Sequence, residues 1–405
     1  MGPLLRLFRF ILEIPGAILV SVSQDLDLDA VVIYVRRILH AHPRCPECRK
    51  KLGGTIAKHE RTWRHLDIMR KRTYVRATVR EGHCPNHGRR VERVPWAEPG
   101  ARHTKAFDLA VASLAQVADK SATSRMFHVS WRTVGRIISR VVAKKLGRKR
   151  LDGLTHIGVD ETSYMAGHRY ITVVVNLLSG RVVWTGPGKS AETLNQFFDL
   201  LGTKRSRDIR VVTMDMSEAF FSSAKSHAPQ AEVVYDRFHV VKLFLEAVDT
   251  VRRDECRSLT DRAREALKGT RFAFLRNPRH LQPKDEEAIR RVGLVNRRLG
   301  RLYQLRVEFE QLWTMPDEES ARKFAMKWTR SLLLSRLEPV RKFARTLRAH
   351  LSGVLGYFRH DRLTNANLEG TNNKIKLLIH RAYGFGNIDS LFAMIHLCCG
   401  AITLP

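Results

Sequence analysis

The stretch His156-Ile-Gly-Val-Asp160, followed by Arg169-Tyr-Ile-Thr-Val-Val-Val-Asn176 and Val182-Val-Trp184, is a series of short β-branched and apolar runs separated by Gly-containing turns. Such runs predict strands. Two more follow, at 209–213 and at Glu232-Val-Val-Tyr235. Apolar residues at helical spacing predict one helix over 191–201 and another over 217–226. Asp160 then closes the first strand and Asp215 lies just past the fourth. If those strands are neighbours in one sheet, the two carboxylates meet at a single edge.

Three strands, a helix, a strand, a helix and a strand are the order of a ribonuclease H-like α/β core. After Phe238 the chain reads as helical to about residue 355, with Arg and Lys on the polar faces, and as helical again over 367–401. The expected architecture is a core in two parts, 151–237 and 356–405, around an all-helical insertion at 238–355. Glu369, in Asn365-Ala-Asn-Leu-Glu-Gly-Thr-Asn-Asn-Lys-Ile-Lys376, has the setting of a third acid. Paired acids bind hard cations through oxygen, and two Mg²⁺ or Mn²⁺ ions can activate an attacking oxygen and stabilise a leaving one at phosphorus. Lys374 and Lys376 are candidates for phosphate contact. Glu161 adjoins the first aspartate but is expected on the opposite face of its strand. Glu218, beside the second on a helix, is harder to set apart.

The balance of charge indicates what is bound. Lys plus Arg number 71 against 40 Asp plus Glu, a net of +31. Residues 41–150 hold 27 basic against 8 acidic residues, so this quarter should carry most of the contact with a polyanion. Within it, Cys45-Pro-Glu-Cys48 and Cys84-Pro-Asn-His87 are two knuckles of zinc-ribbon type, closing a segment over 41–95. Cys45, Cys48, Cys84 and His87 supply four ligands for a structural zinc, with His83 the alternative to His87. A helix-turn-helix is expected over 96–150. Phe107, Val111, Leu114 and Val117 form one apolar stripe, Ser121 caps a short second helix, and Ser130 caps a third. On that third helix Arg132, Arg136 and Arg140 face away from the apolar side, and Lys144 and Lys145 follow, as double-stranded DNA in a major groove would require.

Six cysteines in 405 residues are too few for a disulfide scaffold and suit a reducing cytoplasm. The apolar run 4–22 is broken by Arg6, Arg9, Glu13 and Pro15-Gly16, which argues against a membrane span. A short helix and a strand pair over 1–40 are expected instead. Gly186-Pro-Gly-Lys-Ser190 looks like the end of a nucleotide-binding loop but lacks its first glycine, Val183 standing there, so no nucleotide cofactor is implied.

With these motifs in place, the sequence resembles the ISL3 group of bacterial insertion-sequence transposases over essentially its whole length. The resemblance rests on Val159-Asp-Glu-Thr-Ser163, Thr213-Met-Asp-Met216, and Leu368-Glu-Gly-Thr-Asn-Asn-Lys-Ile-Lys376 through Arg381-Ala-Tyr-Gly-Phe385. It implies a DDE transposase that binds inverted terminal repeats and target DNA, with Asp160, Asp215 and Glu369 as catalytic metal ligands. It also implies assembly as a homodimer or larger complex on DNA. Asp236-Arg-Phe-His239 is similar to a signature of this and related groups, so Asp236 and His239 are expected auxiliaries at the acids. In the family the fourth zinc ligand is usually a cysteine, where this chain has His87. Two other readings use the same parts: a regulator that keeps the DNA-binding modules without catalysis, and a structure-specific nuclease that cuts without joining.

Overall fold

The structure is a computed structural model that describes residues 12, 14–38, 42–258, 268–360, 362, 366–400 and 402–404. The helix expected near the N-terminus lies largely outside the described residues. The chain is of mixed α/β type and divides into two compact units: residues 1–147 with 389–398 and 402–405, and residues 148–388 with 399–401.

The first unit is built on strands β1 (Ala17–Asp25), β2 (Ala30–Arg37), β3 (Gly53–Ile68), β4 (Lys71–Cys84) and β5 (Gly88–Val91). Their sheet runs β1-β2-β4-β3, and β5 pairs with the far half of β4. The N-terminal strand pair is thus not separate from the cysteine-bearing segment, because β2 pairs in parallel with β4. Ile33, Trp63, Val75, Val79 and Trp96 form its buried core. Three helices follow: α1 (Lys105–Val117), α2 (Lys120–Phe127) and α3 (Trp131–Lys145). The Thr104, Asp119 and Ser130 side chains each accept a backbone N–H in the first turn of their helix, the usual relief for unpaired amides there. Asp119, not the expected Ser121, therefore caps α2. The buried stripe of α1 is Phe107, Val111, Ala112 and Ala115, with Leu114 half-buried, while Val117, at the last residue of the helix, is exposed.

The second unit begins with β6 (His156–Met165), β7 (Arg169–Asn176), β8 (Arg181–Pro187), helix α4 (Ala191–Leu201), the single turn α5 (Thr203–Ser206), β9 (Val211–Met214), α6 (Glu218–His227) and β10 (Glu232–Tyr235). The sheet order is β10-β9-β6-β7-β8, with β6, β9 and β10 parallel and only β7 reversed. After it come α7 (Arg237–Ser258), α8 (Arg271–Leu275), α9 (Pro283–Val295), α10 (Arg297–Gln311), α11 (Glu318–Leu333), α12 (Glu338–Ala349) and α13 (Leu351–Arg359). Phe244, Phe309, Trp328 and Phe343 pack ring on ring at the centre of these helices, with centroids 4.7–6.2 Å apart. Helix α14 (Ala366–Arg381) then returns to β6, and α15 (Ile388–Cys399) follows.

Two glycines permit close approach of helix to sheet. A Cβ on Gly353 of α13 would meet the Tyr235 ring at 2.6 Å and the Val233 carbonyl at 3.0 Å. A Cβ on Gly158 of β6 would meet Leu177 at 2.8 Å and Leu368 of α14 at 3.2 Å. Gly158→Val should overpack this contact and destabilise the protein by about 1–3 kcal/mol. An unchanged urea midpoint would show that α14 is not seated on β6.

Candidate functional site

Three groups of polar side chains stand out, the first at the knuckles of β4 and the strand preceding it. Cys45 and Cys84 are fully buried. The Cys48 and Cys84 sulfurs are 3.5 Å apart, and His87 Nδ1 lies 3.6 Å from Cys45 Sγ and 3.7 Å from Cys84 Sγ. All four ligand atoms fall within 4.8 Å of one another. A tetrahedral zinc with ordinary bond lengths sets such edges at about 3.8 Å between sulfurs and about 3.6 Å between sulfur and nitrogen. The cluster fits a structural zinc, leaving no open position. His83 is exposed and outside it, so the geometry favours His87. The other His87 nitrogen, Nε2, is 3.4 Å from Glu47, which also accepts from Arg90 at 2.7 Å. A carboxylate on the far nitrogen orients a ligating imidazole.

On α3, Val134, Ile137, Ile138, Val141 and Val142 are buried, and Arg132 and Arg136 are exposed. Arg140 departs from expectation: its guanidinium forms a two-pronged ion pair at 2.8 Å with Asp108 of α1 and is not free to face DNA. Burial pushes the Asp108 carboxyl up even so, which explains why an arginine fork is placed there. Lys144 is likewise paired with Glu98. Lys145 is exposed.

The third group lies on β6, β9 and α14. The parallel register aligns Gly158 with Thr213. Two residues on from that pair, Asp160 and Asp215 therefore stand side by side just where the pairing ends. Strand β6 itself runs on to Met165, so Asp160 is not at its end as the sequence suggested; it is two residues past the last pair with β9. Burial pushes both carboxyls up, and the charge of Asp215 adds to the difficulty of ionising Asp160. Asp215 Oδ1 is buried without a hydrogen-bond partner among the described residues. His239 opposes this negative charge. Its Nδ1 lies 3.0 Å from Asp236, and that contact, with the fields of Asp160 and Asp215, holds the imidazole pKa above its ordinary value despite burial. An unpartnered buried carboxylate oxygen beside a second buried acid is a donor set for a hard divalent cation.

Glu369 is exposed on the first turn of α14, and the three acids are not drawn together as the zinc-type ligands are. One turn later, Asn372 reaches the site instead: its amide donates to Asp160 Oδ2 at 2.5 Å. Lys374 and Lys376 are exposed on the same helix. Sequence reasoning missed several neighbours. The Glu161 carboxyl, set aside on strand alternation, is raised by burial and by the fields of Asp215 and Asp160, so it belongs to this electrostatic group. Lys189, from the glycine loop dismissed as a nucleotide motif, lies 3.9 Å from Glu161 and 4.0 Å from the Tyr170 ring centroid. Lys189 and Lys242 both help hold the Asp215 charge. Glu218 is exposed at the start of α6.

A family profile described as a transposase, of the ISL3 DDE type, matches residues 157–395. Residues 92–142 match the helix-turn-helix domain of transposase family ISL3, and residues 41–87 the zinc finger of IS204, IS1001, IS1096 and IS1165 transposases. The chain is 32% identical to a transposase for insertion sequence element IS1557 from Mycobacterium tuberculosis, covering 99% of this chain and 97% of that protein. It is 32% identical to a transposase for IS1001 from Bordetella parapertussis, covering 87% of each. Among the described residues no helix is long and apolar enough to cross a membrane.

Two outcomes are expected. The purified protein should carry about one zinc per chain. Cys45→Ser should lose it and melt the first unit while the second keeps its own transition; elemental analysis and calorimetry read both. The second outcome concerns Asp215, whose folded pKa is raised, so ionisation works against folding. That penalty is absent below the unfolded carboxyl pKa of about 3.9 and is complete once pH has passed the folded value. Without added divalent cation, Asp215→Asn should therefore melt with wild type near pH 4 and on the order of a few degrees above it at neutral pH. A gap that does not widen with pH would show that Asp215 carries no such penalty.

Proposed function

From the premise that this chain belongs to the ISL3 family of insertion-sequence transposases, and is a DNA transposase, we propose that its second unit is a ribonuclease H-like core cutting and joining DNA at Asp160, Asp215 and Glu369. The strand order supports this: counted along the chain it is third, second, first, fourth, fifth, with only the second reversed. The helices between β10 and α14 then constitute an insertion into that core. The observation that carries the reading is that Asp160 on β6 and Asp215, just past the adjacent parallel strand, lie at one edge of the sheet within reach of each other's charge, with one Asp215 oxygen buried and unpartnered.

Two divalent cations, when bound, would supply activation of the attacking oxygen and stabilisation of the leaving oxygen in an in-line displacement at phosphorus. Asp160 and Asp215 would hold them in common, and Glu369, at the start of α14, would complete the set. The Asp236 contact raises the His239 pKa, and an imidazolium there would limit the mutual repulsion of the aspartates. Lys189, Lys242, Lys374 and Lys376 offer cationic contacts for the DNA backbone around the acids. In the first unit, Arg132, Arg136 and Lys145 are exposed on the third helix of the helix-turn-helix, and we assign terminal-repeat contact to them; Arg140 and Lys144 hold the helices and the preceding loop together. Joining two element ends calls for at least two chains.

Glu369→Gln should abolish end cleavage and strand transfer while terminal-repeat binding stays within a few-fold. The amide keeps the size of the side chain but removes the charge that holds a cation. Asp160→Asn should behave alike, and the double variant should be hardly worse than either, as for groups acting as one unit. Cleavage and joining assays on a terminal-repeat duplex decide this. Cutting retained in Glu369→Gln would remove that residue from the set, and cutting without joining in the wild type would make the protein a nuclease.

A further inference from the structure

Asp160 is held at both of its oxygens. The backbone N–H of Glu161 donates to Oδ1 at 2.7 Å and the Asn372 side-chain amide donates to Oδ2 at 2.5 Å. The terminal torsion of an aspartate is soft, so two donors on separate oxygens fix a carboxylate plane that the side chain alone does not. Each oxygen keeps a second lone pair, so neither bond blocks a cation.

Asn372 is itself immobilised. It is 6% exposed, and its Oδ1 accepts from Thr162 Oγ1 at 3.3 Å. That contact fixes which end of the amide faces Asp160, since an ionised carboxylate only accepts. The helix carrying it is bolted to the turn between β7 and β8: Asn367 Nδ2 donates to the Leu177 carbonyl at 2.8 Å and Thr371 Oγ1 to the Gly180 carbonyl at 3.2 Å. Residues three apart on a helix are only about 60° apart around its axis. Glu369 and Asn372 are so related, and whatever fixes Asn372 also fixes where Glu369 can reach.

We infer that Asn372 is a positioning residue that locks the Asp160 carboxylate and, through the same hydrogen bond, sets the placement of α14 and of Glu369 relative to the aspartates. The inference rests on the proposed assignment of Asp160 as a cation ligand. Asn372 does not touch the DNA or the cation; it acts through Asp160.

Two measurements test it. In the first, thermal denaturation without added divalent cation compares Asn372→Asp, Asp160→Asn and the double variant. Asn372→Asp sets two carboxylates against each other and should melt several degrees below wild type. The double variant exchanges amide and carboxylate, restores the hydrogen bond with its roles reversed, and should recover at least half of that loss. Losses that simply add would overturn the contact. In the second, Mn²⁺ is titrated into Asn372→Ala on a terminal-repeat duplex, with bound Mn²⁺ read by electron paramagnetic resonance and cleavage read alongside. Half-saturation should rise at least tenfold, as for partners that orient metal ligands, with cleavage recovering as Mn²⁺ is raised. An unchanged half-saturation would overturn the positioning role. Asn372→Ser repeats the titration if the alanine variant does not fold. If Asp160→Asn still cleaves, it is the assignment of Asp160 that fails, and the exchange experiment separately reports whether the contact exists.

Discussion

Helix α14 can settle on strand β6 because residue 158 has no side chain, and everything assembled at the acids depends on that approach. The space that a Cβ would fill is taken by Leu368 and Leu177, both themselves buried. Leu368 in turn stands between Asn367, which ties the helix to the β7–β8 turn, and Glu369, which faces outward. A shift of the helix by even a fraction of its rise would break the Asn372 contact, because hydrogen bonds tolerate only a few tenths of an ångström. A missing methyl group at residue 158 thus decides whether Asn372 reaches Asp160, two positions along the same strand, through contacts that are apolar at one end and polar at the other.

The two units treat buried acids differently, and the contrast separates architecture from chemistry. Asp108 is deeply buried and meets a matched guanidinium, so its charge is neutralised within the protein and locks α1 to α3. Asp160 and Asp215 are half-buried, with one Asp215 oxygen fully enclosed, and have no arginine fork among the described residues; they have an imidazole, amides and lysines at longer range. Natural folds rarely keep such an imbalance for stability alone, since an unmatched buried charge destabilises the folded state. An excess of negative charge that the protein does not itself cancel is a setting for a cation supplied from outside.

Much of this was legible in the sequence, for reasons that differ by element. Strands β7 and β8 show because they are buried on both faces and read as apolar, β-branched runs, and β6 through its short buried start Ile157-Gly-Val159. Strand β3 does not show: its first ten residues are nearly all exposed, and Lys58, His59, Glu60 and Arg61 give no apolar alternation, so only its pairing with β4 makes it a strand. The cysteine knuckles were legible because ligand spacing is local, although choosing between His83 and His87 needed three dimensions. Asp160 and Asp215 could be read from their places at the close of short apolar runs, although β6 runs on past the first of them. Arg140 was misjudged because helical periodicity gives the face of a residue and not what the neighbouring helix presents to it. Asn372 was hidden for a related reason: an amide in a run of polar residues carries no mark of the carboxylate 212 positions earlier that it meets.

Helix α15 bears on how the protein is made. Residues 389–398 cluster with the first unit, where the Gln116 amide donates to the Leu397 carbonyl, although they are translated some 240 residues after Gly147. Folding during synthesis ordinarily proceeds from the N-terminus, unit by unit. Here the unit bearing the helix-turn-helix cannot gain its last helix until the ribosome has passed the acid-bearing segment. A nascent or prematurely terminated chain therefore lacks the last helix of the unit that bears the helix-turn-helix.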